Sequence, residues 1–290
     1  MKKKKAKSYK NMDSLRSYVA WLVVPVMLVW LTFGYIMGHL KENPLWLNKS
    51  VLGEETEDVV PYFKDFEKVP FDSEYGYITL WFDDAWLSQY MTAYPMLQKY
   101  NFPGTIAVPT NAIERINYMN WAQVTTLQKN GWEVTNHSAV HNCSMDKWDK
   151  KKVVGEYETS KLSLWKHNVT SDIFVTPCGV DSNIMREESK LQFSAYRTVN
   201  PGINEVDNID FYDLKVRNMD INVDISEAKS WIDEAVTTKN WVILVFHQVG
   251  GTNEFKEEDL FNTKTEDLEN LLDYIKETQI EVVVPSQMRI

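Results

Sequence analysis

The chain has 290 residues, 44% of them hydrophobic and 25% charged, which is enough apolar content for one substantial core and excludes a disordered protein. Two cysteines exclude a multi-disulfide scaffold or a zinc ribbon built on cysteine pairs, so any metal must sit on histidine and carboxylate. A net charge of −10 without a basic stripe beyond the first residues argues against nucleic acid as a partner.

Residues 1–17 form a basic segment carrying seven Lys or Arg and one Asp, and residues 18–40, "YVAWLVVPVMLVWLTFGYIMGHL", contain no Asp, Glu, Lys or Arg. As a helix that run is ~34 Å long, enough to cross a hydrocarbon core of ~30 Å. A cleaved signal peptide fits less well, because the apolar run exceeds the usual h-region and no small-x-small cleavage site follows. The expectation is one transmembrane signal-anchor at 18–40, with the N-terminus cytoplasmic and the bulk of the chain extracytoplasmic by the positive-inside rule.

Residues 41–74 are acidic, contain Pro61 and Pro70, and read as a stalk that ends in a short strand or cap. From residue 75 to 290, short apolar runs alternate with amphipathic ones, which predicts β/α units around a parallel sheet. In chain order, "YGYITLWFDD" reads as a strand and "LSQYMTAYPMLQKY" as a helix; "GTIAVPT" as a strand and "WAQVTTLQKN" as a helix. "GWEVTNH" is a strand followed by one long helix over 145–168. "DIFVTPCG", "FSAYRTV" and "LKVRNMD" supply further strands, then "SEAKSWIDEAVTTKN" a helix, "WVILVFHQ" a strand, "TEDLENLLDYIKET" a helix and "IEVVVPS" a last strand. The predicted fold is α/β, a distorted (β/α) barrel of about seven strands.

Polar residues collect at the strand ends: Asp83 and Asp84 after "WF", His137 after "EVTN", a Pro-containing turn after "FV", and His247 after "VILVF". In parallel barrels the carboxyl ends of the strands are where sites are built. On one strand His137 and His141 would stand ~13 Å apart at Cα, too far to share an ion. One helical turn would instead make them neighbours, so the strand is expected to end at about Asn136. Adjacent Asp83 and Asp84 diverge at a strand end. One carboxylate with His137 and His141 makes a three-ligand site with an open position, as catalytic Zn²⁺ requires. The other suits a general base, and His247 a general acid. Each piece alone has a bland reading: a surface histidine pair, a capping Asp, a buried histidine. Their joint occurrence at strand ends favours a site.

These residues resemble the polysaccharide deacetylases, the NodB-homology carbohydrate esterases. "WFDDA" is similar to the family's T-F-D-D-G, "HSAVH" meets H-[ST]-x-x-[HD], and "LVFH", Leu244 to His247, meets L-x-x-H. "FVTPCG" looks like the third motif of a branch with Phe-Ala-Tyr-Pro-Tyr-Gly in place of Arg-x-Pro. The resemblance implies a base at Asp83, metal ligands at Asp84, His137 and His141, and an acid at His247. It also implies an oxyanion donor at the N–H of Cys178, after Pro177. The implied cofactor is a divalent metal, Zn²⁺ first, with Co²⁺, Ni²⁺ or Mn²⁺ as alternatives. The implied partner is an acetylated glycan.

Two departures stand out: Val175 replaces the Arg that orients the base in many members, and Ala85 replaces the motif's glycine. Arg197 and Arg217 are the candidates to supply the missing charge. Asp220 and Asp224 read as solvated or capping residues rather than a fourth motif. Trp81, Trp86 and Tyr90 are candidates for stacking on sugar at the mouth. Cys143 and Cys178 fall near the same rim and are read as free thiols in preference to a disulfide. The alternative function is an anchored, non-catalytic glycan-binding module on the same fold. An anchored glycosyltransferase is set aside, since its chemistry does not require "HSAVH".

Overall fold

The computed structural model describes residues 66–70, 72–250 and 260–289; the expected anchor at 18–40 and most of the stalk lie outside them. Seven parallel strands close into a barrel: β1 (Tyr77–Phe82), β2 (Thr105–Val108), β3 (Glu133–Asn136), β4 (Ile173–Val175), β5 (Ala195–Pro201), β6 (Leu214–Asn218) and β7 (Trp241–Phe246). Closure comes from β1 lying against β7 in unbroken register, Tyr77 opposite Trp241 through Phe82 opposite Phe246. Further strands are the short pair β8 (Gln248–Val249) and β9 (Asn262–Thr263), and β10 (Glu281–Val282), which pairs with the first residues of β1 where β2 does not reach.

The side-chain period of two decides the layers. Tyr77, Trp81, Ala107, Ile173, Val175, Ala195, Leu214, Val216, Trp241, Ile243 and Val245 pack together inside the barrel. Their neighbours Ile78, Leu80, Phe82, Val242, Leu244 and Phe246 face outward. There they meet α5 (Ile225–Thr238) through Ala228 and Ile232, and α6 (Thr265–Thr278) through Leu268, Leu271, Leu272 and Ile275. Before them in the chain come α1 (Tyr94–Tyr100), α2 (Trp121–Lys129), α3 (Lys150–Lys166) and α4 (Asn183–Gln192). Gly76 has φ +73, and a Cβ there would lie 2.6 Å from the Ala235 carbonyl oxygen, so only glycine turns the chain into β1.

Three expectations are corrected. The helix expected over 145–168 starts only at Lys150, because Trp148 is extended and the Asp149 carboxylate caps the next turn by accepting from Lys152 N–H. Before α1, the helix passes through a π-helical turn, Gln89–Ala93. Helix α4 was not foreseen: its buried residues are Met185, Glu188 and Ser189, so its apolar stripe is a single methionine.

The amino-terminal mouth of the barrel is plugged by the ends of the described chain. Tyr77 Oη donates to the Pro70 carbonyl at 2.6 Å, Val69 packs on the barrel interior, and its N–H donates to Gln287. Residues 66–70 thus act as a cap, with no strand before β1 among the described residues. Beside it, Glu133 is buried and accepts from the Ser286 N–H at 2.8 Å and from the Ser286 hydroxyl. Burial raises its carboxyl to about 7, opposed by those two hydrogen bonds. A folded-state value above the ordinary 4.5 means that the protonated form stabilises the fold below pH 4.5 and this contribution is lost as pH rises to about 7. The stability difference between wild type and Glu133→Gln should therefore shift against wild type by about 3 kcal/mol between pH 4.5 and 8. Denaturant melts at both pH values check this; a constant difference would contradict it.

Candidate functional site

The carboxyl ends of β1, β3, β4, β5 and β7 bring together Asp83, Asp84, His137, His141, Pro177, Cys178, Arg197 and His247. Asp83 continues the inward face of β1, and its N–H donates to Phe246 at 2.8 Å, tying it to the β1–β7 seam. Its carboxylate accepts from Arg197 Nη2, at 2.7 Å on Oδ1 and 2.5 Å on Oδ2. Arg197 is fully buried, with its guanidinium 4.7 Å from the Trp81 ring centroid. Of the two candidate arginines, Arg197 therefore reaches Asp83. Arg217 does not: it bonds Glu234 on α5 at 3.3 Å and lies over Trp231. The reason is register, since Arg197 stands directly opposite Val175 across β4 and β5. The charge absent at 175 is supplied from the neighbouring strand.

Asp84 and Ala85 both take left-handed backbone, φ +76 and +57. That explains a glycine preference at 85, and the fully buried Ala85 occupies the conformation at a cost of roughly 1–2 kcal/mol. The reversal turns Asp84 away from Asp83 toward the histidines. Asp84 Oδ1 lies 3.4 Å from His137 Nε2 and 3.2 Å from His141 Nε2, and the two Nε2 atoms are 3.2 Å apart. Burial alone would raise the Asp84 carboxyl, but the neighbouring His137 and His141 rings outweigh it and hold it well below the usual range. His141 is raised, burial being overcome by Asp84.

The histidines converge without the helical turn expected. Ser138 and His141 adopt left-handed backbone, φ +63 and +49, so the loop folds back on itself. Its own polar groups hold it: Asn136 Oδ1 accepts from Ser138 N–H, and Ser138 Oγ from His141 N–H. From α3, Glu156 Oε1 accepts from both Ala139 and Val140 N–H at 2.8 Å. Neither Glu156 nor Gln89 was foreseen. Gln89 is buried and donates to the carbonyls of Asp83 and His247, joining the ends of β1 and β7. Both act through backbone, for which sequence carries no spacing signal.

The residues present fit a divalent cation. The Val175 carbonyl can only accept, so His137 Nδ1, 3.0 Å away, must carry the proton, leaving the Nε2 lone pair facing Asp84 and His141. Tetrahedral ligands at 2.0–2.1 Å from an ion stand ~3.3 Å from one another. The three observed separations match that value. Asp84 Oδ2 is occupied by Trp86 Nε1 at 3.1 Å.

A cleft of about 400 Å³ opens beside the triad, lined by residues including Asp84, Trp86, Asn111, Arg115, Tyr118 and His141. Among the aromatics expected at the mouth, Trp86 lines it, stacked on Tyr118 at 4.3 Å. Trp81 is buried inside the barrel, and Tyr90 packs on Tyr94 against the outer core. His247 is lowered by burial, opposed by Asp83 and Asp84. In the proline turn Pro177 is buried, Cys178 has φ +53, and a Cβ on Gly179 would collide with Val199. Cys143 and Cys178 are disulfide-bonded, Cα atoms 5.3 Å apart, which corrects the expectation of free thiols. Asp224 caps α5 by accepting from Ser226 N–H, and Asp220 accepts from Asn222 N–H, as capping residues do.

Residues 72–195 match the family model described as polysaccharide deacetylase. Over that segment the chain is similar to the polysaccharide deacetylase family. The enzyme class that this match supports is that of a polysaccharide deacetylase, a carbohydrate esterase. Solved structures with the same fold include the Xyl-CE4 domain of a multidomain xylanase from the hindgut metagenome of Trinervitermes trinervoides: 15% identity, TM-score 0.51, 74% of this chain and 89% of that one. A family 4 carbohydrate esterase from Streptomyces lividans, in complex with acetate, matches at 14% identity and TM-score 0.51, over 73% of this chain and 94% of that one. A Streptococcus pyogenes deacetylase, PplD, in complex with acetate, matches at 22% identity and TM-score 0.49, over 53% and 69%. No curated protein matches the chain.

Removing one member of the Arg197–Asp83 pair strands a buried charge, whereas removing both does not. Arg197→Met should destabilise the protein by about 3–5 kcal/mol, and adding Asp83→Asn should recover most of the loss. Additive losses in a double-mutant cycle would contradict the pairing.

Proposed function

We propose that the chain removes N- or O-linked acetyl groups from a cell-surface or extracellular polysaccharide, through a divalent cation held by Asp84, His137 and His141. The observation that carries this reading is the triangle of Asp84 Oδ1, His137 Nε2 and His141 Nε2, with edges of 3.2–3.4 Å, beside a second carboxylate held apart by Arg197. Zn²⁺ is the favoured ion, and when bound it supplies Lewis acidity to the acyl carbonyl and to the attacking water.

The chain's own groups divide the remaining work. Asp83, oriented by Arg197, takes the proton of the water whose oxygen attacks the acyl carbon. The Cys178 N–H, which makes no hydrogen bond among the described residues, donates to the developing oxyanion. As the C–N or C–O bond breaks, His247 delivers a proton to the departing amine or alkoxide, and its lowered pKa makes the imidazolium a stronger donor. Trp86 and Tyr118 wall the cleft where a sugar would rest.

The non-catalytic alternative rested on Val175 and Ala85. Arg197 in register beside Val175, and Ala85 in the backbone conformation the motif needs, both weaken it. For placement, we propose a domain layout of 1–17 cytoplasmic, 18–40 membrane-spanning, 41–74 stalk and 75–290 catalytic, with the catalytic part outside. An exposed disulfide supports an oxidising compartment.

The test is acetate release from a panel of acetylated glycans by the membrane-associated full chain. Wild type should release acetate from at least one, and Asp83→Asn and His247→Ala should each lower kcat about 10²–10⁴-fold. A folded, metal-loaded wild type that binds glycan and releases no acetate would leave the binding module as the better account.

A further inference from the structure

His141 belongs to two clusters at once. One is the triad with Asp84 and His137; the other joins it to Cys143 and Cys178, whose Sγ atoms lie with a His141 ring nitrogen within 4.8 Å of one another. Both cysteines are exposed, and the His141 side chain is 31% exposed, so this second cluster faces solvent. The disulfide is therefore within reach of a soluble reductant. It joins the loop that carries His141 to the proline turn that carries the Cys178 N–H.

We infer that reduction of the Cys143–Cys178 disulfide creates a second metal site, Cys143–Cys178–His141, which takes a thiophilic divalent cation and competes with Asp84 and His137 for the shared imidazole. The competition rests on the function proposed above; the thiolate site does not. A dithiol reductant breaks the S–S bond by exchange: its two thiols become a disulfide, and each Sγ receives one hydrogen. Metal binding then releases those two protons and leaves two thiolates. Thiolates bound tetrahedrally at ~2.3 Å stand ~3.7 Å apart, against ~2.05 Å in a disulfide, so the sulfurs need separate by less than ~2 Å. The Cα separation of 5.3 Å leaves room for this without moving the strands. Two thiolates and an imidazole form a softer donor set than two imidazoles and a carboxylate, so Zn²⁺ or Co²⁺ should move to it once it forms. His141 would then leave Asp84 and His137 one ligand short.

Cobalt(II) is the probe, because thiolate ligation gives an intense sulfur-to-metal charge-transfer absorption that nitrogen and oxygen ligands do not. The full chain in detergent, stripped of metal, is titrated oxidised and after reduction with a phosphine. The oxidised protein should bind Co²⁺ without the thiolate band, and the reduced protein should show it. Reduced His141→Ala should retain at most a tenth of the Co²⁺ affinity at the thiolates. The Cys143→Ser, Cys178→Ser double variant should show no band and keep the oxidised-type spectrum. No band in the reduced wild type, or a band of undiminished affinity in His141→Ala, would overturn the inference. His137→Ala separates the two readings, since it belongs only to the first triad: it should abolish Co²⁺ binding in the oxidised protein and leave the reduced band intact. If His137→Ala does not change oxidised binding while the reduced band behaves as expected, only the proposed function fails.

Discussion

A guanidinium buried inside a β-barrel is tolerable only when paired, and the Arg197–Asp83 ion pair is the constraint on which the site depends. The pair fixes where Asp83 points, and because Asp83 is bonded to Phe246 at the seam, it also fixes the junction of β1 and β7. Trp81 gives the guanidinium an aromatic face, and Val175, beside it in register, leaves room for the side chain. The orientation of the Asp83 carboxylate and the closure of the barrel are thus aspects of one packing arrangement.

Asp84 follows directly in sequence yet serves a separate cluster, because left-handed backbone at Asp84 and Ala85 turns it outward. Every member of that cluster is held by another group: His137 by the Val175 carbonyl, Asp84 by Trp86, and the His141 loop by Glu156 and Ser138. Such outer partners set tautomer and ring orientation before any ion arrives. The two neighbouring aspartates are consequently kept in different electrostatic company, one against an arginine and the other against imidazoles.

Much of this was legible in the sequence because it is written in periods. Short, almost unbroken apolar runs such as "YITLWF" and "WVILVF", alternating with amphipathic stretches, marked the strands, and polar residues just beyond them marked the carboxyl-end face. What was not legible depends on backbone. The fold-back of "HSAVH" needs two residues at positive φ, and neither Ser138 nor His141 signals that conformation. Glu156 and Gln89 act on backbone N–H and carbonyl groups distant in sequence. The choice of Arg197 over Arg217 follows from strand register, which spacing along one strand does not reveal. Helix α4 was missed because a single large apolar residue carries its buried face.

The central claim, that Asp84, His137 and His141 form a metal site, is tested most directly by calorimetric titration of Zn²⁺ into the metal-stripped, oxidised chain beside its His137→Ala, His141→Ala double variant. The account requires one tight site in wild type and its loss in the variant with the fold retained. A folded wild type with no tight site, or a variant that binds Zn²⁺ equally well, would contradict it.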